Sequence, residues 1–189
     1  MYLKHKFPLQ LKIILEKSNS VVYTSDNLDG NNYFVFVNKK WYSTINNVLC
    51  RELSLHNTSL VDMSAIDTIN YNSNLFGKLN VSLCCDKLVY NIYYMPTLKL
   101  RIILLCNVDK QLSSIDRFFN NANWIERELS EMYGITFIGK NDSRKLLLDY
   151  TNNNKPLLKE SPLEGNSDNF YSFLDNQVIP TTSRTLTNM

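Results

Sequence analysis

The stretch Asn123-Trp124-Ile125-Glu126-Arg127-Glu128-Leu129-Ser130-Glu131-Met132-Tyr133-Gly134-Ile135 reads as one short helix with a start, a stop and a misplaced charge. Asn123 is a good N-cap, and Glu126, three residues on, can reach back in a capping-box arrangement. Gly134 stands where the chain must leave the helix through positive φ, and Ile135 supplies the apolar contact beyond that cap. At about 100° per residue, Trp124, Ile125, Leu129, Met132 and Tyr133 share one broad face. Glu128 falls inside that face, so its carboxylate needs a cationic or hydrogen-bonding partner or must stay protonated. Arg144 is its candidate partner, in a partly buried ion pair tying the helix to the loop that follows. Arg127 and Glu131, four residues apart, read as a pair along the helix.

Outward from this helix the pattern alternates between strands and helices. Ser113 or Ser114 can cap a short helix over Ile115, Phe118 and Phe119. Residues 88–94, the turn Met95-Pro96-Thr97 and residues 98–106 read as strand, turn and strand. In the second of these strands Leu98, Leu100, Ile102, Leu104 and Cys106 face one way. Lys99 and Arg101, followed by Ile103 and Leu105, face the other. Residues 62–67 form a further strand, and the aromatic, β-branched run 33–37 forms another. Trp41, Ile45, Val48, Leu49 and Leu53 recur at helical spacing, which predicts an amphipathic helix over 40–53. A first helix is expected over 7–17. From Tyr150 onward the chain is rich in asparagine, proline and serine, with little periodicity.

The order is α+β: a single domain with a mixed sheet and helices packed mainly on one face. Three regions are expected: an N-terminal helix or arm over 1–30, the α+β domain over 31–150, and an extended partner-docking tail over 151–189.

Composition excludes several classes of function. At 189 residues the chain suits one domain with a real core. A net charge of +2 is too near neutral to argue for nucleic acid or anionic lipid. No run approaches the roughly 18 apolar residues of a membrane-spanning helix. Asparagine, tyrosine, isoleucine, leucine and lysine are abundant while glycine and alanine are scarce. That bias fits a very AT-rich genome, as many mitochondrial genomes are. Met1–Pro8 has neither an apolar signal core nor an arginine- and serine-rich transit pattern. This is expected of synthesis inside the organelle or in a bacterial cytoplasm.

Metal and cofactor chemistry find little support. Cys50 stands alone, Cys84-Cys85 is a tandem pair and Cys106 ends a strand, so no C-x-x-C exists to hold a cluster or zinc. The cysteines read as reduced, partly buried small hydrophobes. His5 and His56 offer no ligand pairing. The scattered glycines form no phosphate-binding loop. Glu126, Glu128 and Glu131 could handle protons, but capping, pairing and anchoring explain them better.

The run Ala122-Asn123-Trp124, then Glu126-Arg127-Glu128, then Glu131-Met132-Tyr133-Gly134-Ile135 resembles the signature of the 30 kDa subunit family of respiratory complex I. That family includes subunit 9 of the mitochondrial NADH dehydrogenase and its C-type counterpart in the bacterial enzyme. The likeness continues through Asp142, Arg144, Leu146, Leu147, Asp149 and Tyr150. Upstream it includes residues 60–67 and 88–94. Downstream, Pro156-Leu157-Leu158-Lys159-Glu160-Ser161-Pro162-Leu163-Glu164-Gly165 resembles the family's tail segment, with Leu158 in place of arginine and Glu160-Ser161 in place of aspartate and phenylalanine.

The resemblance implies a structural subunit of the proton-translocating NADH:quinone oxidoreductase. It would sit in the peripheral arm on the matrix side of the mitochondrial inner membrane, packed against the 49 kDa-type subunit and supporting the quinone-reducing module. It would carry no cofactor, metal or small-molecule substrate of its own; FMN and the Fe-S clusters belong to partner subunits. Two alternatives stand: the same module in a membrane-bound hydrogenase or a plastid NAD(P)H dehydrogenase, and a free-standing carboxylate enzyme.

Overall fold

A computed structural model describes residues 9–18, 20–24, 32–51, 58–69, 86–162, 165 and 167–182. The elements run α1 (Leu9–Lys17), β1 (Val21–Thr24), β2 (Asn32–Val37), α2 (Lys39–Arg51), β3 (Ser59–Asp67), β4 (Lys87–Met95) and β5 (Leu100–Val108). They continue with β6 (Gln111–Ser113), α3 (Ala122–Tyr133), β7 (Thr136–Ile138), β8 (Ser167–Ser172) and β9 (Gln177–Thr182). The α+β expectation holds, with a mixed sheet. His5, His56, Leu53 and the Cys84-Cys85 pair lie outside the described residues.

The main sheet has five strands in the order β1-β2-β5-β4-β3. β2 and β5 run parallel, which a crossover through α2 permits, and the other pairs are antiparallel. Its covered face is built by alternation. Val35, Leu104, Asn91 and Met63 stand abreast in one row, and Val37, Cys106, Val89 and Ala65 in the next. These side chains pack with Ile45 and Leu49 of α2 and Leu129 of α3 into one core. Leu60 joins that face despite lying three residues from Met63, because the register shifts between Leu60 and Asp62. A bulge of this kind places one extra residue in the strand, and Val61 is 55% exposed there. The opposite face carries a smaller cluster of Phe36, Leu88 and Leu105, bordered by Phe34, Tyr90 and Ile103.

Four local expectations change. β5 starts at Leu100 rather than Leu98, because the turn runs through Lys99 at φ 50°, which breaks the alternation and leaves Leu98 exposed. Ile115–Phe119 makes a single turn, with the Phe118 and Phe119 N–H groups both donating to the Ile115 carbonyl, instead of a helix. The N-terminal arm contributes β1 to the main sheet. The tail contains the antiparallel hairpin β8–β9 where an extended chain was expected.

Candidate functional site

α3 begins at Ala122, one residue before the expected cap, and Asn121 at its N-cap makes no side-chain cap bond. The Asn121 amide donates to the Leu60 carbonyl instead. The capping box does not form. Gly134 does end the helix in the left-handed region, at φ 68°, with its N–H donating to the Ser130 carbonyl. Ile135 follows it into the core.

The helix is rotated relative to the sequence expectation. Ala122, Glu126 and Leu129 face inward, while Trp124 is 63% exposed. Glu128 is exposed, so the anticipated buried pair with Arg144 is absent. Arg144 reaches Asp142 instead, at 2.9 Å. That guanidinium holds the Asp142 carboxyl well below the usual range. On α3 the buried carboxylates are the two flanking ones, Glu126 and Glu131.

Glu126 is fully buried and fully partnered. Its Oε1 accepts the Ile115 N–H at 2.7 Å. Its Oε2 accepts the Ser114 hydroxyl at 2.7 Å and the Lys140 ammonium at 3.1 Å. Lys140, itself buried, also donates to the carbonyl and side-chain oxygens of Asn123, which places acceptors around all three of its protons. Burial pushes the Glu126 carboxyl up, opposed by the Ile115 N–H, the Ser114 hydroxyl and Lys140.

Glu131 does not pair with Arg127. Its carboxylate accepts three consecutive backbone N–H groups, those of Leu146, Leu147 and Leu148, at 3.0, 2.8 and 2.6 Å. Burial pushes this carboxyl up, but the N–H groups of Leu147, Leu146 and Leu148, with Lys145, more than reverse it and leave it below its ordinary value. Arg127 donates to the carbonyls of Arg144 and Lys145 at 2.9 and 3.1 Å and lies over the Trp124 ring at 5.7 Å.

One helix thus fixes an irregular loop by its backbone. Residues 139–150 contain no helix or strand; Glu131 holds the N–H groups of Leu146, Leu147 and Leu148, and Arg127 the carbonyls of Arg144 and Lys145. Lys145 closes the far side by donating to the carbonyls of Asp149, Tyr150 and Asn152. The loop then offers Leu147 and Tyr150 to solvent, 61% and 70% exposed. Asp149 caps the Tyr150 N–H with its own side chain.

The following segment folds back. The Lys155 ammonium donates to the Ser130 carbonyl at the C-terminal end of α3, where a cation suits the helix dipole. The Lys159 N–H donates to Asp67 and its ammonium to the Ile69 carbonyl. Residues 155–161, expected to lie across a neighbour, are therefore bonded to this chain's own domain. Pro156 and Pro162 are exposed. Tyr133 is half-buried at the end of α3, and burial raises its phenol pKa.

Beneath this region a polar network crosses the core. The Asn91 amide donates to the hydroxyls of Tyr42 and Tyr93, and Tyr93 donates to Asn46. Burial pushes both phenols up, so they remain protonated at neutral pH. Asn91 and Tyr93 fall in the strand read over 88–94, but no sequence pattern joined them to Tyr42 and Asn46. The missed partners of Glu126 and Glu131 share one cause: they lie across turns that local spacing does not encode. Only the surplus of carboxylates on one short helix hinted at them. Among the described residues, no group of three His, Cys, Asp or Glu is placed to hold a metal ion, and no helix is long and apolar enough to cross a membrane.

Residues 35–167 match the family model described as respiratory-chain NADH dehydrogenase, 30 Kd subunit. Subunit 9 of the NADH-ubiquinone oxidoreductase of Paramecium primaurelia is 35% identical over 170 residues, covering 89% of this chain and 81% of the relative. The C-type subunit of the NADH-quinone oxidoreductase of the Wolbachia of Brugia malayi is 35% identical over 94 residues, 49% of this chain and 50% of the relative. Among solved structures, the trypsin-resistant fragment of Nqo5 superposes with a TM-score of 0.54 at 16% identity, over 71% of this chain and 99% of the fragment. A chain of the archaeal membrane-bound sulfane sulfur reductase gives 0.53 at 12% identity, over 75% of this chain and 76% of its own. At such identities these two structures show the fold alone.

Proposed function

The chain belongs to the 30 kDa subunit family of the respiratory-chain NADH dehydrogenase, and from that premise we propose that it is a non-catalytic scaffold subunit of the complex. In this reading it sits in the peripheral arm on the matrix side and packs against the 49 kDa-type subunit. It keeps the cluster-bearing and quinone-binding subunits in register and holds no flavin, cluster or metal itself.

The observation that carries the reading is the loop over 139–150. Glu126, Glu131 and Arg127, the charged groups that could do chemistry, are taken up by the chain's own backbone, hydroxyl and ammonium groups. Glu131 holds Leu147 and Lys145 holds Tyr150, an outward pair of large apolar side chains. Exposed apolar groups on a rigid frame suit a docking surface rather than an active site. Trp124 and Leu157 are further exposed apolar residues, on α3 and on the segment that returns to it.

The test is assembly. The parent chain should migrate with the large NADH-oxidising band on a native gel, and Leu147→Asp with Tyr150→Asp should deplete it from that band. Migration as a free species, or turnover by the purified chain, would defeat the proposal. The alternative, the same module in a membrane-bound hydrogenase or a plastid NAD(P)H dehydrogenase, predicts a different band. A hydrogenase- or reductase-sized band without NADH oxidation would select it.

A further inference from the structure

The β8–β9 hairpin holds five large apolar side chains in water. Phe170, Tyr171 and Val178 are 49%, 48% and 62% exposed, and at the tip Phe173 and Leu174 reach 86% and 96%. Turn positions usually carry small or polar residues. This tip is braced all the same: the Ser172 hydroxyl bonds the Asp175 carboxylate at 3.0 Å, and Asn176 takes φ 51°. The rings of Tyr171 and Phe173 meet edge-on at 5.2 Å, with Val178 directly across from Tyr171. Among the described residues β8 and β9 pair only with each other. A lone two-stranded hairpin is marginal in water, and contiguous exposed apolar groups mark a binding surface.

The sequence around the hairpin says what could cover it. Between Lys159 and Arg184 every formal charge is negative: Glu160, Glu164, Asp168 and Asp175. Such a segment is repelled by an anionic membrane surface and complements a surface bearing lysine and arginine. Pro180 removes a backbone donor from β9, which makes that edge a poor template for an added strand. The exposed Phe173–Leu174 tip lies in the turn beyond both strands, so recognition there falls to side chains.

We propose that the hairpin is an anchor whose Phe173–Leu174 tip inserts into an apolar groove rimmed by lysine and arginine on another subunit of the respiratory assembly. This rests on the scaffold-subunit reading and adds a second contact, separate from the loop over 139–150. The test compares full-length parent, the double variant Phe173→Ser/Leu174→Ser, Asp175→Asn and Asp175→Lys, expressed to equal levels. The readouts are the share of each chain in the NADH-oxidising band and the melting temperature of each purified full-length chain. The double variant should lower the assembled share about tenfold with its melting temperature unchanged. Asp175→Lys should lower it more than Asp175→Asn. Equal assembly of the double variant and the parent overturns the anchor, whereas a parent missing from the band defeats the scaffold reading itself. A photo-crosslinker at position 174 in the assembled complex should label one other subunit beside its basic residues. Labelling of lipid, of a second copy of this chain, or of the chain's own domain overturns the anchor.

Discussion

Removing the Lys140 ammonium would strand the Glu126 carboxylate in a site where both side chains are essentially inaccessible to water. Breaking one half of a buried pair costs about 3–5 kcal/mol, so Lys140→Met should lower the urea-unfolding free energy by that order. Glu128→Gln, on the exposed side of the same helix, should change it by less than about 0.5 kcal/mol. Equal effects from the two variants would contradict the burial assigned to them. Glu131 makes a pH-dependent contribution whose sign follows from its lowered pKa. The stability it supplies is complete above the ordinary carboxylate value, about 4.3, and is lost as pH falls through the lower folded value. Glu126, with its raised pKa, acts in the opposite sense: its contribution is lost as pH rises through the folded value. Glu131→Gln should therefore destabilise the chain at neutral pH and flatten the decline in stability below about pH 5. A variant that keeps the parent's acid slope would show that another group sets it. Glu131→Ala leaves three N–H groups aimed at an empty carboxylate position, and millimolar formate or acetate should recover part of its lost melting temperature.

At the scale of elements, α3 shows what local pattern can and cannot convey. Its length and its stop were legible because Gly134 must adopt φ 68°, and a glycine in that position is a local requirement. Its rotation was not legible. Hydrophobic periodicity assigned Trp124 to the core and Glu126 to the cap, yet the protein buries Glu126 against Ser114, Ile115 and Lys140. Each of these is brought in by a turn whose path depends on the finished fold. β2 to β5 were legible from aromatic, β-branched or alternating runs, whereas the short strands β1, β6 and β7 and the bulge at Val61 were not. The tail hairpin escaped notice because its apolar residues face water, so no buried face imposes a period on the sequence. Gly134→Ala must hold a left-handed backbone, and its Cβ would meet the Lys155 side chain at 3.4 Å. Left-handed backbone costs a non-glycine residue about 1–2 kcal/mol, and the unfolding free energy should fall by about that amount. Thermal melts of Gly134→Ala against Gly139→Ala check the contact, because nothing lies within 4 Å of a Cβ at Gly139, although its φ is also positive.

The whole molecule divides by what each region is bonded to. The sheet, α2 and α3 share one core, and residues 155–161 are tied to that domain through Ser130, Asp67 and Ile69. The hairpin beyond them exposes its apolar residues. Stability and assembly should therefore separate along the chain. Ending the chain after Gly165 removes only residues beyond the docked segment. Its unfolding free energy should stay within about 0.5 kcal/mol of the parent, as for surface changes. Ending it after Asn154 also removes the Lys155 and Lys159 bonds. Hydrogen bonds to charged groups contribute about 1.5–3 kcal/mol when shielded and less in water, so a loss of about 2 kcal/mol is expected. The assembly readout should differ: both shortened chains should be depleted from the NADH-oxidising band, including the one whose stability is intact. If the chain ending at Gly165 unfolds as easily as the shorter one, the hairpin stabilises its own domain and its apolar tip is not held for a partner. If that chain is as stable as the parent and also assembles as well, the scaffold needs only its core and the loop over 139–150. Loss of assembly at unchanged stability is the outcome that a hairpin reserved for a neighbouring subunit requires.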